Sequence, residues 1–376
     1  MNELKLKLQP AKDVVSSPCS CSSTPGQKKP LPAWVVGTVN TPVGNVLKVT
    51  TEINQSERWE HVKCRASGFR NSYTVSPGLY AVGEPDKDAH VLVSANYKLS
   101  FDVLRRELKG LNVWVLVLDT KGINVWCAAG KGTFGTDELV RRITLAHLDK
   151  VVEHRKVIVP QLGAPGVSAH KVKQDTGFRV LYGPVNAKDI PAYLVAGCKA
   201  SREMRTVGFS IIDRLVLTPM EINPAMKKYP LYALIVLGIF GLQPTGIIFK
   251  DAVLSGLPFL ILGLITVFAG AFLTPVLLPF IPFRSFAIKG WIVGMLTTFL
   301  SMQLFSPLNT ALAFFTYLFF PLASSYIALQ FTGSTTFTGM SGVNKELKLG
   351  IPMYMFFGVV SVMALTVFKL NQWGVL

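Results

Sequence analysis

The last 148 residues of the chain carry almost no charge, and this constrains the fold more than any other feature. Positions 229–376 hold six Lys or Arg and two Asp or Glu residues. Five apolar stretches follow one another there, each near the roughly 20 residues that a helix needs to cross a bilayer. These stretches are Leu231–Phe249, Ala252–Phe272, Gly290–Phe305, Leu308–Gln330 and Ile351–Leu370. We therefore expect 229–376 to form an all-α transmembrane domain of five helices, with the Pro-rich link Thr274–Phe283 in the interface.

Basic residues in short loops mark the cytoplasmic side of a membrane protein. A cytoplasmic N-terminal half places six of them inside and two outside. The inner set is Lys227, Lys228, Arg284, Lys289, Lys345 and Lys348, and the outer set is Lys250 and Lys369. The sequence therefore predicts a multi-pass protein of a cytoplasmic membrane with its C-terminus outside. Asp251 and Glu346 are expected in loops and no His follows His170, which favours an anchor over a transporter.

The first 228 residues are rich in charge, with 32 Lys or Arg and 20 Asp or Glu. No RNA-binding aromatic motif accompanies the basic excess, so we expect attraction to membrane lipid or an acidic partner and no nucleic acid. Positions 1–35 are rich in Ser, Pro and Lys and predict a disordered tail. The five cysteines form no CxxC pair, which argues against an iron–sulfur cluster or a structural zinc site. Cys19 and Cys21 stay unassigned.

Strand-like and helix-like segments alternate through positions 36–228, which predicts one α/β domain. This order is typical of a Rossmann-like, mainly parallel sheet with helices on both faces. The predicted strands are Asn45–Ile53, His90–Ala95, Leu111–Leu118, Lys156–Val159 and Phe178–Leu181. The predicted helices are Ser56–Ala66 with Ser56 as cap, Phe101–Lys109, Thr136–Glu153 with Thr136 as cap, Val167–Gln174 and Asp189–Val195.

Parallel sheets of this kind bind ligands at the carboxyl ends of their strands. In this sequence those ends are Ser94–Tyr97, Asp119–Lys131, Pro160–Gly166 and Gly183–Pro184. All four segments contain small residues or Gly, which suits a backbone that lies close to a large, flat ligand. We expect them to meet at one edge of the sheet.

One of these segments has the composition of a reactive site. Within Gly122–Lys131, Asn124 is a good N-cap and Gly130 is a natural helix stop, so a short helix is expected between them. Cys127 then falls in the first turn, where the helix dipole and unpaired N–H groups stabilise a thiolate. A buried structural cysteine is equally compatible with the pattern.

The neighbours of Cys127 are compatible with a reactive thiolate and with a buried structural cysteine. Lys131 lies four residues on and can share its helix face. Ala128 and Ala129 are small enough to let a flat macrocycle approach. Trp126 is expected to pack the short helix onto the sheet, with its N–H seeking an acceptor.

Two other ligand-binding motifs are only partly matched by the sequence. Ala129–Gly132 suggests a phosphate-binding loop, but Gly132 replaces the required Ser or Thr and Val125 stands where the first Gly belongs. Asp88 and His90 suggest the start of a cobalamin-binding DxHxxG motif. Val93 occupies its Gly position, so His90 is expected to begin an apolar strand.

The segment Asn124–Lys131, NVWCAAGK, resembles the cap-helix signature of the mercury-methylation corrinoid protein family, HgcA. The segments Val157–Gly166 and Phe178–Pro184 resemble the same family. They also resemble the corrinoid domain of the corrinoid iron–sulfur protein large subunit of the acetyl-CoA pathway. The resemblance covers roughly Val75–Ala200, and five apolar stretches after it match the architecture of HgcA. The cysteine in the motif separates HgcA from the acetyl-CoA pathway protein.

The resemblance implies a corrinoid in the base-off form, with the Cys127 thiolate as the lower axial ligand of cobalt and the catalytic residue. It implies methyl transfer to Hg(II) in a bacterial or archaeal membrane, with a methyl donor of the folate or one-carbon pathway. The implied partner is a ferredoxin-like protein with two [4Fe–4S] clusters, HgcB. The expected cofactor contacts are Asn96, Tyr97, Thr120, Asn124, Val125, Trp126, Cys127, Ala128, Ala129, Gly130, Lys131 and Gly163.

Two other functions remain open at this point. A membrane-tethered corrinoid methyl carrier of one-carbon metabolism with a different acceptor shares every feature except Cys127. A transporter with a regulatory domain belongs to another class, and the lack of titratable residues inside the apolar stretches weakens it.

Overall fold

A computed structural model describes residues 31–305, 308–334, 337–338 and 340–375. The predicted disordered tail, with Cys19 and Cys21, lies almost entirely outside the described residues. Within them, positions 31–210 contain a seven-stranded sheet with helices on both faces. Its strands are β1 (Val35–Thr41), β2 (Gly44–Val49), β3 (Gly78–Val82), β4 (Val91–Ala95), β5 (Val113–Leu118), β6 (Lys156–Val159) and β7 (Arg179–Tyr182).

The sheet is mixed, with a half from β5 to β7 that is parallel throughout, here called the parallel half, and a half that contains both kinds of pairing. The strand order is β1-β2-β3-β5-β4-β6-β7. Neighbours from β5 to β7 are parallel and so is β2–β3, whereas β1–β2 and β3–β5 are antiparallel. In chain order the parallel half reads 2-1-3-4, as in doubly wound folds. Four of the six pairings are parallel, which agrees with the prediction of a mainly parallel sheet. The two antiparallel pairings each involve β1 or β3, which were not predicted.

Two apolar cores lie on opposite faces of the sheet. Helices α3 to α6 cover one face, and α2 and α7 cover the other. The strands of the parallel half are buried on both faces, as their unbroken apolar sequences require. The helices are α1 (Gln55–Ala66), α2 (Lys98–Glu107), α3 (Val125–Lys131), α4 (Thr136–Leu145), α5 (Leu148–Val151), α6 (Ala169–Thr176) and α7 (Ile190–Val195).

Several helix ends differ from the predictions for local reasons. Asn54, not Ser56, caps α1: its Oδ1 accepts from Glu57 N at 2.8 Å, and the Glu57 carboxylate accepts from Asn54 N. Thr136 is the first residue of α4 rather than its cap, because its hydroxyl oxygen accepts from Ser168 N at 2.8 Å instead. The long helix predicted to Glu153 breaks at His147, which adopts a left-handed φ of 43°.

The C-terminal part is helical, and its first helix differs from the predicted stretch. α8 begins at Ile211 and ends at Gly241, and a small hairpin of β8 (Leu242–Gln243) and β9 (Gly246–Ile247) follows. Leu231–Phe249 is therefore not one helix, because the chain becomes extended at Leu242 and turns back in the hairpin. The remaining helices are α9 (Phe249–Phe268), α10 (Thr274–Leu277), α11 (Phe286–Met302), α12 (Thr310–Gln330) and α13 (Met340–Gln372).

Three helices of the described part are long and apolar enough to cross a membrane. They are Phe249–Leu277, Thr310–Gln330 and Ser341–Gln372, whereas α11 is apolar but shorter. The predicted link Thr274–Phe283 is partly helical, since a π-helical turn, Ala269–Leu273, joins α9 to α10. Asp251 and Glu346 lie inside helices rather than loops, and the Glu346 carboxylate caps α11 by accepting from Phe286 N and Ala287 N.

Candidate functional site

The carboxyl ends of β4, β6 and β7 surround a cavity of about 400 Å³. Ser94 and Tyr97 line it at the end of β4, Pro160 at the end of β6, and Gly183 at the end of β7. β4 and β6 are neighbours in the sheet but not in the chain. Doubly wound sheets bind ligands at such a switch point, because the loops that leave the two strands diverge there.

The cavity wall is mainly apolar. Parts of all four segments predicted at the ligand edge reach it, and so does the start of α3. Arg65 of α1 and Ser100 of α2 add polar groups. The remaining lining residues are Leu92, Val93, Leu99, Val103, Leu104, Asn124, Val125, Trp126, Ile158, Leu162, Pro184, Val185, Ala187 and Ile190.

α3 forms as predicted at its beginning and ends later than predicted. The Asn124 side chain caps it, with Oδ1 accepting from Cys127 N at 2.9 Å. Gly130 is an exposed residue inside the helix, and Gly132 terminates it with φ 80° in the left-handed region. Glycine occupies this conformation without steric cost, so the chain can turn sharply there. Lys131, the last helical residue, is exposed.

The turn before α3 is organised by Asn96. Its Oδ1 accepts from Thr120 N at 3.1 Å, from Thr120 Oγ1 at 2.9 Å and from Gly122 N at 3.0 Å. Its Nδ2 donates to Asp119 Oδ1 at 3.3 Å. The side chains of Asn96 and Thr120, both predicted as cofactor contacts, therefore hold the loop that carries α3.

Ala128 and Ala129 are buried in the core of the domain. Their small size lets the 3₁₀ segment Gln161–Gly166 pack closely against α3. A Cβ at Gly166 would collide with the carbonyl oxygen of Phe134 and lie 3.2 Å from Cα of Ala129. Gly163 likewise packs against the Phe134 ring and is not among the residues that line the cavity.

Trp126 does not pack α3 onto the sheet as predicted. Its side chain is 39% exposed and borders the cavity, because the two alanines occupy the buried face of the helix. Val125 also lines the cavity and contacts the core. The side of α3 that faces the cavity is therefore formed by Asn124, Val125 and Trp126.

Cys127 is half-buried and its thiol is free. It lies in the first turn of α3, beside the lining residue Trp126, but is not itself part of the cavity wall. The described residues contain no group of three or more His, Cys, Asp or Glu side chains that could hold a metal ion. A metal at this position would therefore need most of its ligands from a bound molecule.

Tyr97 borders the cavity from the start of α2, and its hydroxyl meets a buried thiol. The Tyr97 oxygen lies 3.0 Å from Cys64 Sγ. Burial raises the pKa of the Cys64 thiol and of the Tyr97 phenol. Both groups therefore stay protonated at neutral pH, and this buried pair joins α1 to the cavity wall.

The sequence did not predict a buried charged cluster behind α2, formed by Glu57, His61, Lys98, Asp102 and Arg105. Lys98 Nζ lies 2.5 Å from Asp102 Oδ1 and 3.0 Å from Glu57 Oε1. Arg105 Nε donates to Asp102 Oδ1 at 2.8 Å. Burial raises the pKa of Asp102, but the hydrogen bond from His61 and the charge of Lys98 outweigh it and hold that pKa below its ordinary value.

One signal in the sequence could have indicated this cluster. Lys98, Asp102 and Arg105 share the face of α2 on which Phe101 and Leu108 lie, so charges of both signs occur on an apolar face. Buried charges are generally paired. The cavity residues Arg65, Val185 and Ile190 were also missed, because they come from segments outside the strand ends.

We expect Asn96→Ala to lower the stability of the domain by about 2–4 kcal/mol, since the buried N–H groups of Thr120 and Gly122 lose their acceptor. The Tm of the purified chain measures this loss. Asn186→Ala is the matched control, because Asn186 is exposed and makes no capping hydrogen bond. Equal Tm values for the two variants would contradict the role given to Asn96.

Residues 65–194 match a family model described as CO dehydrogenase/acetyl-CoA synthase delta subunit. The acetyl-CoA decarbonylase/synthase complex subunit gamma of Methanopyrus kandleri is 29% identical over 134 residues, 35% of this chain and 29% of that protein. Its counterpart in Methanothermobacter thermautotrophicus is 32% identical over 127 residues, 33% of this chain and 27% of that protein.

The corrinoid/iron-sulfur protein large subunit of Moorella thermoacetica is 25% identical over 179 residues, 43% of this chain and 40% of that protein. The chain therefore contains a domain related to these acetyl-CoA pathway proteins. It spans less than half the length of each of the three relatives. The matched region contains the cavity edge and α3, and it ends before α8.

Proposed function

We propose that the chain is a membrane-anchored corrinoid protein that transfers a methyl group to Hg(II). The domain related to corrinoid/iron–sulfur proteins supports corrinoid binding in general. The specific acceptor is proposed from Cys127 and from the NVWCAAGK segment that contains it. The proposed domains are a tail over 1–35, a corrinoid-binding domain over 36–228 and a transmembrane domain over 229–376.

The residues around the cavity fit a corrinoid. The apolar wall at the switch point suits the rim of a flat macrocycle, and the exposed Trp126 offers an aromatic surface beside it. A corrinoid would bring its own cobalt, and Cys127, beside the cavity, would offer that metal a single free sulfur. We propose Asn124, Val125, Trp126, Gly130 and Lys131 as the residues that shape the surface around it.

The observation that carries the proposal is this free thiol on a helix whose backbone is fixed. When bound, the corrinoid supplies a cobalt centre that carries a methyl group. Hg(II) is an electrophile, so the methyl must reach it together with the bonding electron pair. The Cys127 thiolate would be a soft, electron-rich ligand to that metal and would raise its electron density. A nitrogen ligand in its place would favour transfer of the methyl as a cation.

Low-potential electrons are proposed to come from a partner. The sequence has no CxxC pair, so the clusters of such a redox step belong to another protein. We propose a ferredoxin-like protein with two [4Fe–4S] clusters, HgcB, and a methyl donor of the folate or one-carbon pathway. We propose that the corrinoid would bind in its base-off form, with the Cys127 sulfur as the protein's ligand to cobalt.

Membrane anchorage is proposed through α8, the α9–α10 helix, α11, α12 and α13. Three of these satisfy the length and apolarity of a span. Arg214 at the start of α8 donates to Val276 O near the end of α10 at 2.6 Å, and Tyr232 donates to Phe259 O at 2.7 Å. These contacts support antiparallel packing of α8 on its successor, with the N-terminal domain in the cytoplasm by the distribution of Lys and Arg.

A second function is favoured by the relatives themselves. Several of them are named as subunits of acetyl-CoA decarbonylase/synthase complexes. A membrane-tethered methyl carrier of one-carbon metabolism would use the same cavity with another acceptor. The distinction rests on Cys127, which this function does not require.

The visible spectrum and an assay for methylmercury separate these functions. We expect the purified full chain to carry a corrinoid chromophore and, with reductant and methyl donor, to form methylmercury from Hg(II). A chromophore without methylmercury would favour the second function. A chain that takes up no corrinoid when reconstituted would refute both.

We expect Trp126→Ala to reduce the corrinoid content of the purified chain several-fold, because the variant loses an aromatic surface at the cavity. Fold stability should change little, since the side chain is exposed rather than packed in the core. The measurement is the ratio of corrinoid absorbance to protein, with Leu145→Ala as a control at another exposed apolar residue. Parent-like loading would exclude this role of Trp126.

A further inference from the structure

We infer that the outer face of α1, formed by Arg58, Trp59, Val62 and Lys63, lies on the anionic headgroup surface of the membrane. All four side chains are exposed, and Trp59 and Val62 are 61% and 53% accessible. Residues three and four apart share one side of a helix, so Trp59, Val62 and Lys63 form a continuous patch. An exposed Trp flanked by basic residues is typical of a membrane–water interface.

The buried charged cluster explains why this face is purely basic. Glu57 is turned inward, where its carboxylate accepts from Lys98 and Arg105. Glu60 accepts from the Tyr73 hydroxyl at 2.9 Å. Glu57 is thus held inside and Glu60 is half-buried, so the charges of α1 that are fully exposed are those of Arg58 and Lys63. This distribution is complementary to anionic lipid.

The C-terminal end of α1 contacts the helix that begins the proposed membrane domain. The Asn223 amide of α8 donates to the carbonyl of Ala66, and Arg70 Nη1 lies 3.3 Å from the sulfur of Met220. Arg70 belongs to the 3₁₀ turn Gly68–Asn71 that follows α1. The end of α1 and this turn therefore lie against α8 about two to three helical turns before Leu231.

The patch lies close to the start of the apolar part of α8. Trp59 lies seven residues before Ala66, and Lys227 to Leu231 lie four to eight residues after Asn223. At a rise of 1.5 Å per residue both intervals correspond to about 6–12 Å, so the patch is within about 25 Å of these residues. Lys227, Lys228 and Leu231 are exposed. An anionic headgroup surface at the start of the proposed membrane domain would attract both basic surfaces.

The inference rests on the proposed membrane anchorage, and the experiment tests the two separately. The full chain is reconstituted in vesicles of phosphatidylcholine and phosphatidylglycerol that carry bromine at a shallow acyl position, which quenches nearby Trp fluorescence. The emission of Trp59→Phe subtracted from that of the parent gives the Trp59 component. Trp291→Phe gives the component of an exposed Trp on α11 and reports the anchorage.

We expect brominated lipid to quench the Trp59 fluorescence as strongly as the Trp291 fluorescence. The Trp126 fluorescence, obtained in the same way with Trp126→Phe, should remain unquenched. The double variant Arg58→Glu/Lys63→Glu should lose the quenching of Trp59, and Lys109→Glu, at an exposed Lys of the same domain, should keep it. A quenched Trp291 with an unquenched Trp59 would overturn the inference and point to a protein partner on this face. Equal quenching of Trp126 and Trp59 would also overturn it, and an unquenched Trp291 would refute the anchorage itself.

Discussion

Cys127→Ala is expected to abolish methylmercury formation while the chain still folds and binds a corrinoid. The cavity wall and the loop held by Asn96 do not include the sulfur, so the fold tolerates its loss. The proposed axial ligand disappears, however. Loss of residues that merely orient a metal ligand costs about 10–100-fold, so loss of the ligand itself should cost at least about 100-fold.

The measurement is methylmercury formed per bound corrinoid, together with the visible spectrum. Cys127→His should show the spectrum of a nitrogen-ligated corrinoid and remain inactive toward Hg(II). Cys198→Ser is the matched control, because Cys198 is also a half-buried free thiol in the same domain. Full activity of either Cys127 variant would refute thiolate ligation.

Asp102→Ala is expected to lower the free energy of unfolding of the domain by about 3–5 kcal/mol. Removing one partner from a buried ion pair leaves the other charges without compensation. Asp102 is fully buried and holds Lys98, Arg105 and His61. Denaturant unfolding of the full chain in detergent, followed by the domain's signal, measures the loss. Asp175→Ala, at an exposed carboxylate, is the control. A loss no larger than that of the control would contradict the importance of the cluster.

The same cluster predicts the pH dependence of stability. The pKa values of Asp102 and Glu57 lie below their ordinary values of 3.8 and 4.5 in the folded chain. A carboxylate whose pKa is lowered by folding stabilises the fold above its unfolded pKa. We therefore expect this contribution to be constant at neutral pH and to decline as the pH falls below about 4.5. The Asp102→Ala chain should show a weaker decline over that range.

The sequence predicted the parallel half of the sheet and the position of α3 because the signals for both are local. Unbroken apolar runs such as Val113–Leu118 indicate buried strands, and Asn124 before an apolar turn indicates a helix start. β1 and β3 were missed because Gly, Thr and Asn interrupt the apolar pattern of β1, and β3 begins with Gly. Their pairing depends on contacts distant in sequence.

The roles of individual site residues were harder to predict than the location of the site. Ala128 and Ala129 were expected to face a ligand, but tertiary packing against Gly166 buries them. Trp126 was expected to be buried, but the same packing turns it outward. A helix of seven residues has few faces, so the identity of its buried neighbour decides all of these orientations together.

The cap on α3 and the packing of α3 against Gly166 fix the backbone of Cys127. The sulfur can then move only by rotation of its side chain. Asn124 fixes the Cys127 amide, and the contact between Ala129 and Gly166 fixes the following turn. The thiol could therefore meet or leave the proposed metal by rotation about its Cα–Cβ bond, without displacement of the backbone. Rotations of accessible side chains take picoseconds to nanoseconds. The rate at which the sulfur binds or leaves the proposed metal should therefore depend on the strength of the metal–sulfur bond. Backbone motion of the protein should not limit that rate.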